Sequence, residues 1–262
     1  MYQHILSSVS DNHVATISIN RPELGNSMDR DVMLELIDAF LVCSADENVR
    51  AIILTGEGKN FSAGGDMNRF KIAIEDGTGV RSETIRTGSE LIMTIRNCPK
   101  PVVAKINGAA AGAGASLAFV SDFRVMSETS KLVGSFVMLG FPGDTCGWYT
   151  LSRLIGMSRT TEFYMLGKPI GGAQAHELGL ANRLVASEQL DGAATELAEQ
   201  LAALPTAAIA CQKKMVSLIA YPDLPVLAEL ETAYMRQCSF AEDHKEAVYA
   251  FLEKRKPKFQ GK

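Results

Sequence analysis

The chain is expected to fold as an α/β protein, a stack of repeated strand–turn–helix units followed by a helical C-terminal region. Three observations carry this expectation. Short apolar runs at 51–55, 102–106 and 123–126 have the composition of buried strands. Stretches with apolar residues at helical spacing stand among them. After about residue 147 the chain reads almost entirely helical, in an alanine-rich background. Units of this kind, repeated, suggest stacked layers rather than one open sheet.

In order, residues 5–9 and 14–19 are β-rich and flank the turn Ser10-Asp11-Asn12, which predicts two opening strands. Arg21 to Asn26 breaks the pattern as a loop. Val32, Met33, Leu36, Ile37, Phe40 and Leu41 recur at helical spacing, which predicts a helix over about 29–44. The strand at 51–55 then ends in a glycine loop. A helix over about 84–97 leads through Pro99 and Pro101 to the strand at 102–106, a second glycine turn and another helix. In the helical half, Gly156, Gly167 and Gly179 are placed as helix stops.

Composition narrows the classes of function. The 262 residues are 47% hydrophobic and 21% charged, ordinary values for a globular domain with a sizeable core. A formal net charge of −4 advertises no basic face, so nucleic acid is not an expected partner. The five cysteines are odd in number, widely spaced and without a C-x-x-C pair, which suits free thiols in a reducing compartment. His4, His13, His176 and His244 have no metal-ligand spacing, so no metal is expected. The N-terminus lacks the basic and apolar regions of a signal peptide, and the small-apolar stretch at 108–120 is too short for a bilayer. A cytoplasmic protein without a membrane partner is expected.

Two segments point to chemistry. Asn60-Phe61-Ser62-Ala63-Gly64-Gly65-Asp66-Met67 and Asn107-Gly108-Ala109-Ala110-Ala111-Gly112-Ala113-Gly114-Ala115-Ser116 each link a strand to a helix. N–H groups at a helix start attract negative charge, and small residues let a ligand approach closely. Neither segment matches a phosphate loop. Either alone is more often a packing device.

Together, and with other elements along the whole chain, they resemble the enoyl-CoA hydratase/isomerase, or crotonase, family. Those elements are Asn20-Arg21-Pro22-Glu23, Asn26-Ser27-Met28-Asp29, Phe61 to Asp66, Lys100 to Gly108, Ser121-Asp122-Phe123-Arg124, Leu151 to Gly156 and Ala173 to Leu180. The resemblance implies a spiral of ββα units with a helical C-terminal trimerisation region, divided here at 1–200 and 201–262. It implies a homotrimer or a hexamer made as a dimer of trimers. It implies an acyl-CoA substrate, with coenzyme A part of that substrate and no permanently bound cofactor. The thioester oxygen would be held by the N–H groups of Gly65 and Ala113, and the adenine would lie near Ala63, Asp66 and Met67. Many relatives have glycine where this chain has Ala113, but the N–H donor is the same. Met28, Met67 and Met138 are candidates to line the acyl pocket. Two donors aimed at an enolate oxygen lower the barrier to deprotonation beside a thioester, one such donor being worth roughly 3–4 kcal/mol in a comparable site.

The reaction depends on the acids. Where the family's hydratases carry two glutamates, this chain has Ser116 and Phe136, which cannot serve as general acid and base at neutral pH. One carboxylate is left in register, Asp144. It resembles the aspartate of dienoyl-CoA isomerases and of the epoxyphenylacetyl-CoA isomerases of phenylacetate degradation. Without the family, Asp144 would read as an N-cap for the helix at 148–155. Dehalogenases of the family also have an aspartate here, but their helper histidine corresponds to Ser89. The expected activity is an isomerase that moves a carbon–carbon double bond, with Asp144 carrying the proton. The alternatives are a hydratase with atypical acid placement and a non-catalytic acyl-CoA-binding relative.

Overall fold

The structure is a computed structural model that describes residues 2–262. The elements in order are β1 (Ile5–Val9), β2 (Val14–Ile19), α1 (Arg30–Ala45), β3 (Ala51–Gly56), α2 (Met67–Glu75), α3 (Ser82–Asn97) and β4 (Val102–Ile106). Then come β5 (Ala109–Ala111), α4 (Ala113–Val120), β6 (Phe123–Ser127), β7 (Lys131–Val133), α5 (Gly147–Ile155) and α6 (Met157–Leu166). The chain continues with β8 (Ile170–Gly171), α7 (Gly172–Glu177), β9 (Arg183–Val185), α8 (Leu190–Ala202), α9 (Thr206–Ala220), α10 (Leu224–Cys238) and α11 (Glu242–Leu252).

The strands form two layers. A six-stranded sheet has the order β1-β2-β3-β4-β6-β9, and a small sheet has the order β5-β7-β8. In the large sheet β1 and β2 are an antiparallel hairpin and every later neighbour is parallel. Its middle strands are buried on both faces, which is why they read as unbroken apolar runs. In β3, Ile52 and Leu54 face the main core with α1 and α3, while Ala51 and Ile53 face Leu190, Ala194, Ala198 and Leu201 of α8. The helix over 29–44 is α1, with Asp29 as its N-cap accepting the Val32 N–H at 3.2 Å.

Short strands depart from the reading. Ala109 to Ala111, expected as part of a turn, is β5 and pairs in parallel with β7. The region after 147, expected to be almost entirely helical, contains β8 and β9. Runs of two or three residues are too short to show a period of two. Pairing supplies what periodicity lacks: the Asn182 amide oxygen accepts the Arg124 N–H at 2.8 Å, and the Asn182 N–H donates to the Arg124 carbonyl at 2.9 Å, just before β9 joins β6.

The C-terminal helices pack back onto the spiral, α9 and α10 against α3 and α11 against α2. The expected boundary at 200 falls in the last turn of α8. Outward faces of α9 and α10 remain apolar: Leu218 and Ile219 are 68% and 77% exposed, and Val226 65%. Among the described residues no helix is long and apolar enough to cross a membrane.

Asp122 ties these regions together. Its carboxylate pairs with Arg96 of α3 at 2.5 Å and with Lys213 of α9, and accepts the Val102 N–H of β4 at 2.9 Å. All three side chains are nearly buried. Breaking such a cluster from one side strands the remaining charges. Asp122→Ala is therefore expected to cost about 3–5 kcal/mol and lower the melting temperature by roughly 10 °C, measured by calorimetry. A melting temperature unchanged within a degree or two would refute this account of the cluster.

Candidate active site

Three chain segments meet backbone to backbone. The Met28 N–H donates to the Gly64 carbonyl at 2.7 Å, and the Asp66 N–H to the Met28 carbonyl at 3.2 Å. Ser62 exchanges bonds with the third segment, its N–H donating to Ala109 and its carbonyl accepting from Ala111, at 3.1 and 2.8 Å. Gly64 has φ of 86°, and a Cβ there would lie 2.6 Å from the Ala111 carbonyl oxygen. A Cβ on Gly114 would meet Ser62 equally closely, at 2.6 Å. Only glycine allows this approach. Asn26, buried and at φ of 59°, clasps the first two segments: its amide donates to the carbonyls of Glu57 and Asn60 at 2.8 and 2.7 Å, and its oxygen accepts the Arg21 N–H.

This meeting leaves two donors free. Among the described residues, neither the Gly65 N–H nor the Ala113 N–H has a backbone or side-chain acceptor. Ala113 opens α4, where N–H groups have no intrahelical partner. Both residues line one narrow cavity, with Asp144 in its wall. Phe136 and Phe141 line it as well, and Phe70 lies against Gly65.

Asp144 does not cap α5. That helix has Cys146 as its N-cap and no side-chain cap bond. The Asp144 Oδ1 is buried with no hydrogen-bond partner among the described residues. Burial pushes its carboxyl up to about 6, and the Thr145 hydroxyl pulls weakly the other way. Trp148 does not line the cavity; its ring stacks on Tyr164 at 4.7 Å and its indole N–H donates to the Pro142 carbonyl at 2.8 Å.

The other site residues fall in different places. Ala63 is exposed and lines the narrow cavity, and Met28 lines both that cavity and a neighbouring cleft of ≈ 510 Å³. Asp66 borders the larger cleft, but its side chain caps α2 through the Asn68 N–H at 3.0 Å and pairs with Arg21 at 3.2 Å. Met67 lines neither space, and Met138 is half exposed, away from both. Arg21 and Arg69 also flank Asp29 at 3.7 and 3.4 Å. Burial would raise the Asp29 carboxyl, but the Val32 N–H and the two arginines outweigh it and hold it below its usual range. Ser116 is buried outside the cavity, while Phe136 forms part of its wall.

Two groups near Asp144 were not singled out in the sequence. Glu231 of α10 accepts the Cys146 N–H at 2.7 Å. Tyr164 of α6 is buried with its hydroxyl unpartnered. Glu231 lies three residues after buried Ala228 and four before buried Met235, so helical spacing places it at the edge of an apolar stripe. That spacing was the available signal.

Comparisons with known proteins bear on the fold and the family. The enoyl-CoA hydratase/isomerase family model matches residues 10–262. A 1,2-epoxyphenylacetyl-CoA isomerase of Escherichia coli is 34% identical over 266 residues, covering all of both chains. A trans-2-decenoyl-acyl-carrier-protein isomerase of Streptococcus mutans is 31% identical over 263 residues, covering 100% of this chain and 99% of that one. The crystal structure of an enoyl-CoA hydratase from Mycobacterium avium subsp. paratuberculosis superposes with a TM-score of 0.90 at 24% identity, over 99% of this chain and 100% of that one.

A buried carboxyl without a partner has a stability signature. The folded-state value of Asp144, about 6, is raised above the ordinary 3.8, so the folded protein holds its proton more tightly than the unfolded chain does. Stability is unpenalised below about pH 4, falls as pH rises from roughly 4 to 6, and stays reduced above that. Asp144→Asn removes the titration. It is expected to stabilise the fold at pH 8 by about 1–2 kcal/mol, a few degrees in melting temperature. The gain shrinks as pH falls toward 4. A gain independent of pH would contradict the burial argument.

Proposed function

Because the chain belongs to the enoyl-CoA hydratase/isomerase family, we propose that it is an enoyl-CoA isomerase using Asp144 as its proton carrier. One observation carries this reading: a buried, unpartnered carboxyl oxygen shares a cavity with two unpaired backbone N–H groups. The thioester oxygen accepts from Gly65 and Ala113. The Asp144 carboxylate takes a proton from the carbon between the thioester and the double bond. The electron pair left behind delocalises onto the thioester oxygen, where the two donors meet the negative charge. Asp144, now neutral, returns the proton two carbons further along on the same face, and the double bond moves into conjugation. No atom is gained or lost.

A general base works best with a pKa near the working pH, and a carboxyl raised to about 6 is largely ionised at neutral pH. Water addition asks for more. A second acid or base must face the cavity, and the wall there is Phe136. The larger cleft beside it, bordered by Arg30, Arg69 and Arg81, is the proposed seat of the nucleotide end of coenzyme A. Coenzyme A enters and leaves as part of the substrate.

The deciding measurement follows 3-enoyl-CoA isomerisation and 2-enoyl-CoA hydration in parallel. Isomerisation is expected to rise with pH through about 6 as Asp144 ionises. Asp144→Asn is expected to lose at least about a hundredfold in turnover while acyl-CoA binding by calorimetry persists. Equal rates in both proteins would remove Asp144 from the chemistry, and hydration outpacing isomerisation in the wild type would favour the hydratase reading.

The exposed apolar faces of α9 and α10 support assembly through the C-terminal helices. We expect light scattering to give three or six times the 28.3 kDa chain mass. A monomer at micromolar concentration would overturn this.

A further inference from the structure

The backbone that presents Asp144 is strained. Thr145 and Cys146 follow it with φ of 54° and 52°, two successive non-glycine residues in the left-handed region. Such residues persist only where their surroundings hold them. The turn is held on several sides. A Cβ on Gly88 of α3 would lie 3.0 Å from the Thr145 methyl. A Cβ on Gly147 would lie 2.1 Å from the Tyr164 hydroxyl oxygen and 2.5 Å from that of Ser116. From the remaining side comes Glu231, whose Oε2 accepts the Cys146 N–H at 2.7 Å from 85 residues away in sequence.

We propose that Glu231 is a positioning residue for Asp144: from α10 it clamps the left-handed turn that aims Asp144 into the cavity, so that one turn joins a pair of carboxyls. This rests on the reading of Asp144 as the proton carrier. Glu231 does not line the cavity, so it acts through Asp144 and not on the substrate. Its neighbour Glu229 points outward to Arg86 at 2.9 Å and serves as the contrast.

No cation faces the pair among the described residues. The groups around Glu231 are Asp144 and the Cys146 thiol on the turn and the Tyr164 hydroxyl on α6. The Ser89 and Ser116 hydroxyls of α3 and α4 stand behind these. Burial keeps the thiol and the phenol neutral by raising both. Burial also pushes Glu231 up to about 8, with the Cys146 N–H opposing and the Asp144 charge adding to it. Both carboxyls are raised, Glu231 the further, so Glu231 gives up its proton at higher pH than Asp144 does. Ionising Glu231 places a second negative charge beside the turn with no cation to balance it, which is the expected source of an alkaline loss of positioning.

The test is the pH dependence of kcat and KM for 3-enoyl-CoA with the full-length protein and three variants. Wild type is expected to lose turnover again above about pH 8. Glu231→Gln keeps an acceptor for the Cys146 N–H but cannot ionise. It should lose a few-fold in kcat at pH 7 and lose the alkaline fall entirely. Glu231→Leu removes the clamp, and kcat should drop roughly tenfold to a hundredfold with KM nearly constant, as expected for a misplaced catalytic group. Asp144→Asn reports on the underlying reading. If it is inactive while Glu231→Leu turns over like wild type, the clamp proposal falls and the Asp144 reading stands. If Asp144→Asn is fully active, both fall. Should Glu231→Leu fail to fold, Glu231→Gln decides alone: an alkaline limb identical to wild type overturns the proposal.

Discussion

Main chain lying against main chain is the constraint on which the site rests. Where residues 26–28, 62–65 and 109–113 meet, carbonyl and N–H groups bond directly between segments, and a single methyl on Gly64 or Gly114 would collide with backbone. This closeness lines up the turn after β3 with the turn after β4 and brings Gly65 and Ala113, whose N–H groups have no acceptor among the described residues, to one cavity. The two-layer arrangement follows from the same contact, because β5 sits beside Ser62 and starts the second sheet. Fixed donors of this kind need no reorganisation when charge develops, which is the property that makes backbone N–H groups effective in enolate chemistry.

Around this rigid frame the charges are sorted by partner. Asp29, Asp66 and Asp122 each sit next to one or more cations. Asp144 and Glu231 have none among the described residues. Asp29, Asp66 and Asp122 are thus ion-paired, while burial without a cation raises the two carboxyls near the cavity. That contrast in environment, and not residue type, separates them.

Much of the frame was legible because its signals are local. The runs at 51–55 and 102–106 announced themselves as buried strands, and the apolar spacing over 29–44 announced α1, whose cap at Asp29 the structure adds. β5, β8 and β9 escaped because two or three residues cannot display a period, and their existence depends on partners distant in sequence such as Asn182 for Arg124. Asp144 could be found only by register with a family, since residues 141–147 alone suit a capped helix equally well. Its geometry removes that ambiguity: the cap position belongs to Cys146. For Glu231 the one local signal, its place at the edge of an apolar stripe, says nothing of what it touches. Glu229 and Glu231 share one helix and one chemistry, and only the tertiary placement of α10 sends the first to solvent and the second to the turn beside the cavity.

The ties made by α9 and α10 bear on how far this fold can be treated as modular. Lys213 of α9 completes the cluster at Asp122, and Glu231 of α10 completes the turn at Asp144. The spiral therefore cannot be lifted out as a minimal scaffold for redesign with its site intact, although it holds both backbone donors. Helix α10 carries exposed Leu230 immediately before Glu231, the residue bonded to the turn after Asp144, and buried Thr232 immediately after it. One short helix therefore meets solvent on one side and the turn beside the cavity on the other, so a change that shifts its outer surface also bears on the backbone next to Asp144.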